Sequence, residues 1–255
     1  MIDLKLNSSA DLRKEGKSFY WASFFLPKYY KKNAGILYSI CRYFDDIADK
    51  YSEDQTIYLK KSIEEIRTNK NNKVNIFLQK NEINNLIFID LIEGLILDQK
   101  KIKIQNKEEL IKYSYHVAGT VGLMMSKIIG VKHEKAARSA IDLGIGMQLT
   151  NIARDVYEDS KMKRIYLPAN WIPDISLKNL TDLSNKSLEK DERISNAIHE
   201  VISLSDKFYE NGFAGLKYIP LSTRLGIFIA ANVYRGIGRK IISLSLIHIS
   251  EPTRR

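Results

Sequence analysis

The chain has 255 residues, 44% hydrophobic and 27% charged, the profile of a globular protein with ample apolar surface for one large or two small helical cores. Its single cysteine, Cys41, excludes an intramolecular disulfide or a cysteine metal site and fits a reducing compartment. The net charge of +10 is spread over scattered lysines with no nucleic-acid motif beside them, so a solvated basic surface is expected, and weak attraction to an anionic membrane surface is the next reading.

The first thirty-odd residues are broken by Asp3, Lys5, Asp11, Arg13, Lys14, Glu15 and Lys17, which excludes the apolar core of a signal peptide. The longest apolar runs, 225–234 and 241–250, are too short to span a bilayer. A cytoplasmic protein, at most loosely associated with the inner membrane surface, is expected. Helical periodicity predicts helices over 9–23, 33–50, 54–68, 82–98, 106–129, 133–159, 187–217 and 221–242, with a polar loop at 69–74 and a longer connection at 161–185. No segment alternates convincingly as a strand, so the fold class is all-α. The last thirteen residues, SLSLIHISEPTRR, read as a non-native tail rather than a continuation of the helix before them, because the string resembles translated sequencing-adapter read-through. This gives one domain over 1–242 and a tail over 243–255.

The chemistry begins at residues 38–49, YSICRYFDDIAD. Asp45 and Asp49 are four apart, hence about 6 Å from each other on one helix face, an arrangement that disfavours the helix by a few tenths of a kcal/mol unless a cation sits between them. Magnesium takes a few carboxylates together with phosphate oxygens, which gives the pair a use. The apolar setting of Ile36, Leu37, Ile40, Phe44 and Ile47 argues against a merely solvated acidic face.

A second stripe follows at 148–159, where Gln148, Asn151, Asp155 and Asp159 step by three, four and four along one helix face. All four offer hard oxygen ligands. Arg154 is next to Asp155 but should point elsewhere around the helix. Gly144 and Gly146 just before the stripe suggest close packing or room for a bulky ligand. Two such stripes facing each other across a bundle would hold several magnesium ions, clamp a diphosphate and stabilise its departure, while the rest of the pocket stays dry around a carbocation.

The motifs SFYWASFFLP at 18–27, YSICRYFDDIAD, YSYHVAGTVG at 113–122, GIGMQLTNIARDVYEDSKMKRIYLP at 144–168 and VYRGIGRKI at 233–241 resemble the squalene and phytoene synthase family. The resemblance runs from about residue 15 to 242. It implies a single-domain isoprenoid-synthase helical bundle around a central cavity. By this resemblance Asp45, Asp49, Asn151, Asp155 and Asp159 bind magnesium, with Gln148 beside them. Ser18, Tyr38, Arg42 and Arg154 contact diphosphate. Tyr115 lies near the reacting carbons, and Arg164, Tyr166 and Tyr234 face the phosphate region or the cavity. Phe19, Phe24, Val117, Ala118, Gly119 and Leu149 line the prenyl tunnel.

The implied activity is head-to-head condensation of two geranylgeranyl diphosphates to phytoene through a cyclopropyl diphosphate, with magnesium and without NADPH. Squalene, dehydrosqualene or presqualene diphosphate synthesis from farnesyl diphosphate is the runner-up. A non-catalytic, synthase-like assembly factor is the distant alternative, disfavoured because both aspartate stripes are complete. The partners are then prenyl diphosphates, with no nucleic acid, and the protein is expected to be a monomer. Family members continue past the 233–241 motif with a further basic segment and one more helix, so the domain is expected to be incomplete at its C-terminal end.

Overall fold

The structure is a computed structural model that describes residues 17–50, 52–99, 103–175, 180 and 191–250, excepting the side chains of 17, 18 and 244–250. Among these residues there is no strand, only a single parallel bridge between Lys103 and Ile165. Helix α1 (Lys17–Ser23) leads through a tight turn to α2 (Lys28–Asp49). The latter starts five residues before the expected 33 because the Pro27 carbonyl accepts the Lys31 amide at 3.0 Å, while the lysine- and tyrosine-rich first turn carries no apolar periodicity. Helix α3 (Glu53–Thr68) is capped by Ser52, whose hydroxyl accepts the Gln55 amide at 3.2 Å. Helix α4 (Lys73–Lys80) falls partly on the expected polar loop; Asn72 caps it, accepting the Val74 amide at 2.7 Å, and Val74, Phe77 and Leu78 bury its short apolar face. Helix α5 (Asn85–Asp98) is buried on most sides.

The expected 106–129 helix is three pieces: α6 (Lys107–Ser114), a π-helical turn over Tyr115–Gly119, and α7 (Thr120–Ile128). Likewise 133–159 divides into α8 (Glu134–Arg154) and α9 (Val156–Lys161). Helix α10 (Glu192–Ala214), a 3₁₀ turn (Leu216–Tyr218) and α11 (Leu221–Ser250) complete the chain. The backbone of 243–250 therefore carries α11 onward, against the expected break at 242. Leu244–Ile249 contain no helix breaker. The remainder of the expected tail, like Ser18's side chain, lies outside the described residues.

Helix α8 is the hub, packed by α7, α10, α11 and the π turn. Its glycines serve close packing. A Cβ on Gly144 would strike the Ala118 carbonyl oxygen, and one on Gly122 the Ala140 carbonyl, so α7 and α8 approach at backbone distance. Two apolar cores result. One is built by α2–α5 and α7 around Leu37, Phe44, Phe88 and Ile92; the other by α8 and α10 with 165–175 around Leu149, Ile194, Val201 and Tyr166. Between them lies a cavity of about 550 Å³.

Asp191 caps α10, accepting the Arg193 amide at 3.0 Å, and its hydrogen bonds with Arg193 hold its carboxyl below the usual range. Asp191→Ala is expected to cost about 1 kcal/mol at neutral pH, measured by denaturant titration. Because the folded pKa is depressed, that difference should be full above about pH 4, the unfolded value, and fade as pH falls through the folded one.

Candidate active site

Both aspartate stripes line the one cavity. Asp45 and Asp49 come from the C-terminal turns of α2, Asp155 and Asp159 from the α8–α9 junction, and Tyr38, Arg42, Gln148, Asn151, Arg154, Arg164, Tyr166, Tyr234 and Phe19 line it with them. The expected register survives the helix break: the Asp155 amide bonds the Asn151 carbonyl at 2.9 Å, and the Asp159 amide bonds that of Asp155 at 2.8 Å.

The break changes Arg154. At Asp155 the backbone opens to φ −104° and ψ 16°. Adjacent side chains that would diverge on a regular helix then meet, and Arg154 Nε and Nη2 donate to the two Asp155 oxygens at 2.7 and 2.6 Å. The expectation that Arg154 points away is thus corrected.

Arg164 ties the two stripes together. Its amide bonds the Asp159 carbonyl at 2.9 Å, and its Nη1 donates to Asp49 Oδ1 at 2.7 Å, 115 residues away. The same Nη1 is 3.7 Å from Asp98 Oδ2. The strap that carries Arg164 is laid against 103–105 by the Ala169 amide, which bonds the Ile104 carbonyl at 2.8 Å.

Asp98 was invisible as a site residue in the sequence. It ends α5, is almost wholly buried, and accepts the Tyr166 hydroxyl at 2.6 Å. Burial raises its pKa, while Arg164 and the Tyr166 bond pull it back. Tyr113 joins this group, bonding Asp98 and stacking on Tyr166 with ring centroids 4.9 Å apart. The one available signal was an acid closing a mostly apolar helix.

Four further assignments are corrected. Tyr113, not Tyr115, lines the cavity; it shares a face with Val117 four residues on, whereas Tyr115 lies half a turn away and bonds Asp90. Phe24 is exposed, with the Lys31 ammonium 3.7 Å from its ring centroid. Gly119 and Leu149 pack into the bundle, Gly119 against Ile141 and Ile145, instead of lining the tunnel. Val117 and Ala118 do line it.

Electrostatically the mouth is strained. Burial, then the neighbouring Asp49 charge, pushes the Asp45 carboxyl up to about 7, and burial with Asp155 does the same for Asp159, also to about 7. Five aspartates (45, 49, 98, 155, 159) face three arginines (42, 154, 164) among the lining residues, so the site carries excess negative charge. Buried Asn151 Oδ1 has no hydrogen-bond partner. An oxygen-rich site of this kind fits a hard divalent cation. Among the described residues no three acids or histidines converge on one point, so such a cation would complete its shell from ligand oxygens and water.

Asp98→Ala would leave Tyr166 and Arg164 short of a buried acceptor, and is expected to destabilise the protein by about 1–3 kcal/mol. Turnover should fall at least tenfold through misplacement of Arg164; thermal melts and product assays on the same variant check both.

A sequence model of the family described as Squalene/phytoene synthase matches residues 12–245. The 15-cis-phytoene synthase of Enterobacter agglomerans is 31% identical over 246 residues, covering 89% of this chain and 82% of that protein. The phytoene synthase of Thermus thermophilus is 32% identical over 241 residues, covering 90% and 80%. Among solved structures, a dehydrosqualene synthase in complex with ligand superposes with a TM-score of 0.79 at 23% identity, covering 95% of both chains. The squalene synthase HpnC from Alicyclobacillus acidocaldarius gives 0.78 at 19%, covering 92% and 91%. The fold is thus that of the squalene synthases, and the chain is a prenyltransferase of the squalene/phytoene synthase family.

Proposed function

We propose that this chain joins two geranylgeranyl diphosphates head to head into phytoene, with magnesium at the two aspartate stripes. The observation that carries this reading is the division of one cavity into a charged mouth and a long apolar interior walled by residues such as Leu37, Leu95, Met125, Ile129 and Ile219. The phytoene synthases among its relatives favour the C20 substrate.

Asp45 with Asp49, and Asp155 with Asp159 and Asn151, would hold the metal, which supplies positive charge to the leaving diphosphate. Without cations, the excess of carboxylates would repel an anionic ligand. Arg42, Arg154 and Arg164 stand around that position and supply fixed donors to phosphate oxygens. The apolar interior keeps water from the allylic cation left behind. The double bond of the second substrate attacks that cation, and loss of one proton gives the cyclopropyl diphosphate. Departure of the second diphosphate, rearrangement and loss of a second proton give the triene. Two diphosphates and two protons leave, so the balance calls for no reductant.

Activity should require magnesium, be abolished by EDTA and be restored by adding magnesium back. Asp45→Ala and Asp155→Ala should each lower turnover at least about a hundredfold, the loss typical of removing one strong electrostatic stabiliser. Magnesium with inorganic pyrophosphate should also raise the melting temperature of the wild type and not of Asp45→Ala, a readout independent of turnover.

Substrate choice is checked by incubation with labelled geranylgeranyl or farnesyl diphosphate, with and without NADPH. Phytoene from the C20 substrate, insensitive to NADPH, is expected. Squalene, dehydrosqualene or presqualene diphosphate from the C15 substrate alone would replace the phytoene reading.

A further inference from the structure

Helix α1, with the turn after it and the start of α2, is apolar on two sides. Phe19, Ala22 and Ser23 point into the cavity wall, and Leu26 of the following turn joins them. The opposite face should then be polar if it met only water. Instead Trp21 is 68% exposed, Phe24 53%, Phe25 48% and Tyr29 57%. Single exposed apolar residues are ordinary, but a contiguous group is not. Here the rings touch: Tyr20 and Phe24 have centroids 5.0 Å apart, and Trp21 and Phe24 5.8 Å.

Along the chain through this group the charge has one sign. Between residues 17 and 32 there are four lysines, at 17, 28, 31 and 32, and no acid. Lys28 and Lys32 are exposed on the first turn of α2, and Lys31 sits over the Phe24 ring. Tryptophan, tyrosine and phenylalanine rimmed by lysine is the composition that settles at the headgroup level of an anionic bilayer, rings among the acyl boundary and ammonium groups on phosphates. A protein partner matched to these lysines would need an acidic rim as well as an apolar centre; a bilayer offers both over any area. No helix among the described residues is long and apolar enough to cross a membrane, so attachment would be at the surface.

We propose that the Trp21–Phe24–Phe25–Tyr29 face, with Lys28 and Lys32, docks the protein on an anionic lipid surface, placing only the thickness of α1 between the bilayer and the cavity. This rests on the proposed reading in one respect, that the molecules handled are long hydrocarbons that partition into membranes. The device would let them pass between bilayer and cavity without crossing water.

The test uses the full chain and vesicles of phosphatidylglycerol with phosphatidylcholine, against phosphatidylcholine alone. Co-sedimentation with the anionic vesicles only, weakened by high salt, is expected. Trp21→Ser with Phe25→Ser, and separately Lys28→Glu with Lys32→Glu, should each weaken binding at least tenfold, with unchanged circular dichroism and melting temperature. Tryptophan emission should shift to the blue on adding anionic vesicles, and Trp21→Phe should abolish the shift. Absence of vesicle binding, or binding indifferent to both double variants, overturns the proposal. So does a concentration-dependent dimer dissolved by the aromatic pair, which would make a second copy the occupant. Emission already blue-shifted by Trp21 before vesicles are added would overturn it too, showing the face covered by the chain itself. With substrate dispersed in detergent, the aromatic double variant should turn over like wild type. A wild type that binds vesicles and forms no product would leave the docking surface standing and sink the functional reading.

Discussion

The site depends on how Arg164 is shared between Asp49 and Asp98. Its guanidinium side chain is only 12% exposed, and it spans the end of α2, the end of α5 and the strap after α9. Removing Asp98 would leave the guanidinium short of a buried acceptor, a loss of about 1–3 kcal/mol. The pair itself contributes little net stability. Its consequence is positional: it fixes the distance between two aspartate stripes that belong to separate apolar cores.

That arrangement leaves the mouth overcharged by design. Raised carboxyl pKa values at Asp45 and Asp159 record a conflict between burial and like charge. Here the same residues border a cavity whose interior is apolar. A ligand set of net positive charge would relieve the conflict, and in the proposed function that set is divalent cations bound with a diphosphate.

The hub helix α8 makes the cavity possible. Close approach of α7 at Gly122 and Gly144 narrows one side of the bundle. The π turn over Tyr115–Gly119 lies on this side of the hub, where Tyr113, Val117 and Ala118 reach the cavity while Tyr115, half a turn round, does not. The break at Asp155 turns Arg154 onto its neighbour while the carboxylate stripe keeps step.

By itself the sequence determined the helical class, most helix positions and the two aspartate stripes, because these rest on periods of three and four residues that survive any tertiary context. The family motifs likewise brought Arg42, Arg164, Tyr166 and Tyr234 to the cavity as expected. Local departures from the period were hidden: α4, too short for its apolar face to register; the π turn over 115–119; and the opened backbone at Asp155. Asp98 was hidden for another reason. Its role comes from Tyr166 and Arg164, 68 and 66 positions away, and an isolated acid at a helix end carries no local sign of what the fold will set against it. Only the tertiary structure decided those, because a buried charge takes its meaning from partners that the chain brings close in space and not in sequence.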